Sequence, residues 1–86
     1  MKKLIIRMNN GNEYHINEHE NIDKRDNLSN TEMMERIRKN ISDDVKVISI
    51  SSSFKDITFI SRSSILKLNK IHLVVKYISS IDLVEG

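Results

Sequence analysis

The sequence of 86 residues has no cysteine, proline or tryptophan and only two glycines. Without cysteine, the chain cannot form disulfides, thiolate metal sites or a thiol nucleophile. With only Gly11 and Gly86, it cannot build a glycine-rich loop that cradles phosphate. Because its aromatic residues are two tyrosines and two phenylalanines, the core must be built largely from isoleucine, leucine, valine and methionine.

Long hydrophobic runs are also absent. The N-terminal apolar run ends at Arg7, before the roughly 7–15 residues of a signal-peptide core are complete. No later stretch reaches the roughly 18 apolar residues that a membrane helix needs. The 14 basic and 12 acidic residues are interleaved, for a net charge of +2, which is typical of a solvated surface. We therefore expect a cytoplasmic protein that is soluble and does not contact membranes.

Length and composition predict a single small domain covering residues 1–86. A chain of this length buries roughly 60–65% of its unfolded surface, which supports one core. Alanine and glutamine are missing too, while Ile, Lys, Asn and Ser dominate. That bias favours AT-rich codons and points to a gene of a low-GC bacterium or of its phages.

The first predicted element is a β-hairpin from Lys3 to Ile16, in which apolar and polar residues alternate on either side of Asn9-Asn10-Gly11. A two-residue turn would place apolar residues opposite polar ones. A three-residue turn with Gly11 in the left-handed bulge position instead places apolar residues opposite apolar ones on one side of the hairpin. It predicts the cross-strand pairs Leu4–Ile16, Ile6–Tyr14 and Arg7–Glu13.

After a polar loop over residues 17–27, the sequence predicts a helix from Asn30 to Ile41. Ser29 and Glu32 form a capping box, S-x-x-E, and Leu28 and Met33 occupy the positions of a hydrophobic staple. The apolar face of this helix is predicted to carry Met33, Met34, Ile37 and Ile41.

The remaining sequence favours strands, because isoleucine and valine are dense there. We expect strands over Val45–Ile50, Ile57–Ile60, Ile65–Leu68, Ile71–Ile78 and Ile81–Val84, with turns at 61–64 and 69–70. A helix through Ile65, Leu68, Ile71, Val75 and Ile78 would also fit the 3.6-residue period. The prediction is an α+β fold in which an antiparallel sheet, opened by the hairpin, packs one face on the helix.

A continuous strand over 71–78 would carry apolar residues on both faces, and one helix cannot cover both. The face that the helix leaves uncovered could be buried by the curled sheet itself or by a symmetric partner. We favour a homodimer, because most soluble oligomers are twofold dimers. Val74 and Lys76, which share one face of this strand, are then interface candidates.

The candidate chemical groups form no recognisable catalytic or metal site. His15 and His19, flanked by Glu18 and Glu20, would bind a divalent metal only if they converged, but they fall on a strand and on the loop that follows it. His72, among apolar neighbours in a strand, is typical of a structural histidine. No serine lies in a G-x-S-x-G motif. We predict a protein that is not an enzyme and has no metal or cofactor.

Three basic residues near the end of the predicted helix, Arg36, Arg38 and Lys39, could contact phosphates. Arg36 and Lys39 share a face, but Arg38 points elsewhere and no aromatic residue is interleaved to stack on bases. The same charges also complement the helix dipole. A small basic nucleic-acid-binding regulator is therefore an alternative, and direct nucleic-acid binding is not our expectation.

The segment from Leu4 to Asn21, LIIRMNNGNEYHINEHEN, resembles a hairpin in small phage-encoded anti-CRISPR proteins that inhibit type II Cas9. The matching core is LIIR-x-NN-G-NEY-x-I, and the segment covers about a fifth of the chain. The resemblance implies a prophage gene and a stoichiometric inhibitor that acts without catalysis. Those inhibitors are strongly acidic and imitate DNA, whereas this chain has no acidic run, so the DNA-mimic mechanism does not carry over.

We therefore expect a phage- or prophage-derived protein that binds and inhibits a bacterial host protein, with a Cas9-type effector as the most specific candidate. An oligomerising accessory phage protein is a further alternative. The candidate partner-binding residues are Arg7, Glu13, His15, Glu18, Glu20, Arg36, Lys39, Val74 and Lys76.

Overall fold

The computed structural model describes residues 2–17, 29–51 and 56–85. These residues contain one α-helix and seven strands, which confirms the predicted α+β class. The elements are β1 (Lys2–Met8), β2 (Glu13–Asn17), α1 (Asn30–Ser42), β3 (Val47–Ser51), β4 (Asp56–Ile60), β5 (Ile65–Leu68), β6 (Lys70–Val74) and β7 (Ile78–Glu85), with a 3₁₀ turn at Val75–Tyr77.

The strands form two sheets in which every pair is antiparallel. Five strands follow the order β5-β4-β2-β1-β7, and β3 pairs with β6 in a separate two-stranded sheet, the β3–β6 ribbon. The expected antiparallel sheet against the helix is present, but the strands do not all join one sheet. Because β5 and β6 belong to different sheets, the predicted tight turn at 69–70 does not close a hairpin.

The hairpin β1–β2 has the predicted turn and register. Gly11 has a φ of 90°, in the left-handed region that glycine adopts without strain. Its N–H donates to Met8 O at 3.0 Å, and the Met8 N–H donates to Asn12 O at 2.8 Å. The observed pairs include Leu4–Ile16, Ile6–Tyr14 and Arg7–Glu13.

Helix α1 begins as the capping box predicts, since Ser29 Oγ accepts a hydrogen bond from the Glu32 N–H at 3.1 Å. The staple residue Leu28 lies outside the described residues. Ile37 is buried, but Ile41, predicted for the same buried face, is 40% exposed. That part of the prediction is wrong, because Ile41 lies in the last turn of α1, after the apolar residues Met33, Met34 and Ile37 that contact the core.

Asn30, the first residue of α1, is buried with 0% exposure. Its Nδ2 donates to Lys2 O and to Ile16 O, each at 2.8 Å. One side-chain amide therefore joins the start of the helix to both β1 and β2. Sequence patterning placed Asn30 in the helix but not in this role.

The hydrophobic core lies between one face of the five-stranded sheet, its inner face, and a layer made of α1 and the β3–β6 ribbon. The buried members are Leu4, Ile6, Ile16 and Ile57 from the sheet, Ile37 from α1, and Ile48, Ile50, Ile71 and Leu73 from the ribbon. Full burial of an aliphatic side chain of this size contributes about 1.5–3 kcal/mol to stability.

The segment predicted as one strand, Ile71–Ile78, is interrupted by the turn at Val75–Tyr77. Before the turn Leu73 is buried. After it the alternation restarts, so Tyr77 is 52% exposed and Ile78 packs against the core. The two apolar faces expected for a continuous strand are therefore absent, and the argument that derived a dimer from them no longer holds. The last strand, β7, is also longer than predicted.

The alternative of a helix through residues 65–78 is wrong, because β5 and β6 occupy most of that range. In the part of the chain that the structure describes, no helix combines the length and the apolar character needed to cross a membrane.

Candidate binding surface

The five-stranded sheet has a second face, its outer face, which points away from the core. Side chains alternate along each strand, and residues paired across strands share a face. The observed register therefore sets neighbouring rows of side chains on the outer face. One row is Asp82, Ile5, His15, Thr58 and Lys67, and the next is Ser80, Arg7, Glu13, Ile60 and Ile65.

Four polar side chains in these rows form a charged cluster across β7, β1 and β2. Arg7 Nε donates to Glu13 Oε2 at 3.2 Å, and the Arg7 guanidinium also pairs with Asp82. His15 Nε2 donates to Glu13 Oε1 at 2.8 Å. The charged cluster is therefore Arg7, Glu13, His15 and Asp82, with Arg7 held between two carboxylates.

The cluster is partly shielded from water. The His15 side chain is 13% exposed, whereas those of Arg7 and Asp82 are 43% and 46% exposed. His15 is the most shielded of these three side chains, because β4 and β1 flank β2 on both sides. The predicted pairing of Arg7 with Glu13 on the outer face is confirmed.

Sequence reasoning missed Asp82. The aspartate lies 75 residues from Arg7 along the chain and joins the cluster only because β7 pairs with β1. The single available signal was the short apolar run at Ile81–Val84, which predicted a strand but not its neighbour.

An apolar residue lies within this polar surface. Ile5 is 8% exposed although it lies on the outer face, between His15 and Asp82 in the register. Farther along the face, at the edge strand β5, Ile65 is 72% exposed. The outer face thus combines a desolvated apolar centre, charged groups of both signs and an apolar edge, a mixture found in protein–protein interfaces.

The hydrogen bond from His15 lowers the pKa of Glu13 below its ordinary value. Arg7 lowers the same pKa through a second hydrogen bond and its positive charge, and together these effects outweigh the partial loss of hydration that raises it. The ionised form of Glu13 is therefore favoured in the folded chain.

Replacing Glu13 by glutamine is expected to flatten the acid side of the pH–stability profile. A folded-state pKa below the reference value of 4.5 means that Glu13 contributes its stability above that pH and loses it as the pH falls through the lowered pKa. Thermal unfolding between about pH 2 and pH 7 measures this. Glu35→Gln, on the exposed part of α1, controls for the loss of one carboxylate. Parallel profiles of the two variants would contradict the assignment.

The other candidate partner-binding residues lie elsewhere. Arg36 and Lys39 are exposed on α1, and Val74 is 37% exposed at the end of β6. Lys76 lies in the 3₁₀ turn, with its Nζ 5.1 Å from the centroid of the Tyr77 ring. Because α1 and the ribbon pack against the inner face, Arg36, Lys39 and Val74 do not join the charged cluster. Glu18 and Glu20 lie outside the described part of the chain. So does His19, the second member of the histidine pair considered as a metal site.

His72 is exposed on the ribbon, and its Nδ1 lies 2.7 Å from Ser49 Oγ on the paired strand β3. Within residues 2–17, 29–51 and 56–85, no group of three or more His, Cys, Asp or Glu side chains is placed to hold a metal ion.

Comparison of this chain with family models, curated proteins and solved structures finds no match.

Proposed function

We propose that this chain is a non-catalytic, phage- or prophage-derived protein that binds and inhibits a bacterial host protein, and that its target is a Cas9-type effector. The observation that carries the proposal is the position of the segment that resembles anti-CRISPR inhibitors. It includes most of β1 and all of β2, at the centre of the five-stranded sheet, and three members of the charged cluster.

The outer face is the part of this hairpin that is available to a target. Leu4, Ile6 and Ile16 point into the core, so a partner can meet only the side chains of the opposite set. That set contains Ile5, Arg7, Glu13 and His15. Arginine is enriched in the energetically important positions of protein interfaces, and Arg7 keeps 43% of its side chain exposed.

The charges of the outer face favour a protein target over a site built for nucleic acid. Arg7 is balanced by Glu13 and Asp82, so the cluster is neither a basic phosphate-binding stripe nor an acidic imitation of DNA. Inhibition would therefore arise from blocking a protein surface of the effector by direct contact.

The same side chains are held in place before binding. Arg7 contacts carboxylates from two neighbouring strands, and His15 is tied to Glu13. Side chains that are already ordered lose less conformational entropy when a complex forms. Such a surface suits a stoichiometric inhibitor.

The proposal is tested by titrating the purified chain into Cas9–guide RNA complexes from low-GC bacteria and measuring cleavage of a matched DNA target. We expect cleavage to fall to background near one equivalent of the chain. Arg7→Glu should reduce the apparent affinity by roughly tenfold or more, since it removes both ion pairs and repels both carboxylates. Arg38→Glu, an identical charge change on α1, is the control and should inhibit normally.

Three results would contradict the proposal. Full cleavage at a large excess of the chain, with every effector tried, would reject the Cas9 target. Equal inhibition by Arg7→Glu and Arg38→Glu would reject the outer face as the binding surface. A steeply salt-dependent gel shift with the DNA alone would favour a nucleic-acid-binding regulator.

A further inference from the structure

Among the residues that the structure describes, β5 forms one edge of the five-stranded sheet, and its partner strand is β4. Its two most exposed apolar residues, Ile65 and Leu66, are 72% and 50% exposed and lie on opposite faces of the sheet. Natural edge strands are usually protected by charges, proline or a bulge, because their free N–H and C=O groups are a template for another strand. In β5, Lys67 is the one charged residue.

The direction of the free backbone groups follows from the β4–β5 turn. The Ser61 N–H donates to Ser64 O at 2.9 Å, so these residues form the hydrogen-bonded pair that closes the turn. Hydrogen-bonded and non-hydrogen-bonded pairs alternate along an antiparallel ladder. Leu66 therefore bonds towards Phe59 of β4, whereas Ile65 and Lys67 direct their N–H and C=O groups to the free edge.

We propose that β5 pairs antiparallel with β5 of a second copy of this chain, about a twofold axis at Leu66. In this register Ile65 of each copy exchanges two backbone hydrogen bonds with Lys67 of the other, four in all. The two Leu66 side chains meet on the inner face of the joined sheets. On the outer face, Ile65 packs on the aliphatic stem of Lys67 of the other copy.

Alternative registers of the same pair are less favourable. Centring the axis on Lys67 places two lysines directly opposite each other, which destabilises the pair. Centring it on Ile65 requires Ser63 to pair as a strand residue, but Ser63 lies in the turn before β5. Only the Leu66 register pairs both Ile65 and Lys67, whose backbone groups point to the edge, with residues of β5 in the other copy. It also continues the apolar row of Phe59 and Leu66 across the axis.

The paired segment is short. Four residues from each copy bury less than the roughly 1,200 Å² of total surface found in stable interfaces, so the dimer is expected to be weak and reversible. This inference differs from the dimer argued from Ile71–Ile78, and it does not rest on the proposed inhibitory function.

A single engineered cysteine tests the register, because the natural chain has none. Opposite residues of a non-hydrogen-bonded antiparallel pair have Cα atoms about 4.5 Å apart, which suits a disulfide. Leu66→Cys should therefore give a disulfide-linked dimer under mild oxidation. Ile65→Cys, which faces Lys67 of the other copy, should remain largely monomeric under the same conditions. Equal cross-linking of both variants, or none in Leu66→Cys, would overturn the proposal.

The backbone prediction is tested by light scattering over a concentration series. Lys67→Pro removes an N–H that faces the free edge, and Lys67→Ala removes the same side chain while keeping that N–H. The unmodified chain and Lys67→Ala should approach the mass of two copies as concentration rises, while Lys67→Pro stays at the mass of one. Circular dichroism reports folding of the proline variant; if it does not fold, the cysteine pair decides. A concentration-independent monomer for the unmodified chain would reject the dimer.

Discussion

Replacing Asn30 by alanine is expected to lower the free energy of unfolding by about 2–4 kcal/mol. The Asn30 amide is fully buried and donates to carbonyl oxygens of β1 and β2. Alanine deletes both hydrogen bonds and leaves the Lys2 and Ile16 carbonyls without that donor. The helix start also loses its tie to the two central strands. Urea unfolding, followed by circular dichroism, measures the change.

The same helix offers a matched control for this prediction. Asn40→Ala makes the identical substitution at a partly buried position, where the backbone carbonyl of Asn40 accepts a hydrogen bond from the Val45 N–H. It should change stability by about 0.5 kcal/mol or less. Asn30→Asp, which keeps the shape but brings oxygen against both carbonyls, should be at least as damaging as Asn30→Ala near neutral pH. Equal unfolding midpoints for Asn30→Ala and Asn40→Ala would contradict the assigned role.

Replacing Ile37 by alanine is expected to cost about 2–5 kcal/mol. Ile37 is 3% exposed and is the fully buried apolar residue that α1 contributes to the core. Alanine loses the transfer free energy of the missing groups and leaves a cavity that the surrounding sheet cannot fully close. Thermal and urea unfolding both report the loss.

Two further substitutions in and beside α1 are expected to cause smaller losses of stability, with which the effect of Ile37→Ala can be compared. Ile41→Ala is the same change one turn later, at a position 40% exposed, and should cost about 1 kcal/mol or less. Ser29→Ala removes the side-chain acceptor of the Glu32 N–H and should cost about 1 kcal/mol. Equal losses for Ile37→Ala and Ile41→Ala would show that α1 is not anchored through Ile37.

The hairpin could be predicted in detail because its interactions are local. The register follows from matching apolar residues over a short separation, and Gly11 is a residue that tolerates the φ of 90° found there. The start of α1 was predictable for the same reason, since the contact between Ser29 and Glu32 spans one turn. The Arg7–Glu13 pair of the charged cluster was predictable with the hairpin, because Arg7 lies opposite Glu13 in any register that matches Leu4 with Ile16.

The later strands were predictable as strands, but their arrangement was not. Dense isoleucine and valine indicate extended structure without saying which strand is the neighbour of which. The 3₁₀ turn at Val75–Tyr77 carries no glycine or proline to mark it, so the chain was predicted as one strand across that turn. The exposure of Ile41 was missed because a period of 3.6 residues identifies a helix face but not how far its partner extends along it.

The sequence by itself determined the fold class, the hairpin with its bulged turn, the capped start of the helix and the pairing of Arg7 with Glu13. Each of these depends on residues close together in the chain, where local geometry leaves few alternatives. The tertiary structure alone decided that Asn30 binds β1 and β2, that Asp82 completes the charged cluster, and that β5 is an edge strand of the five-stranded sheet. These depend on which distant segments pack together, and that choice is made by burial of the whole core rather than by any local pattern.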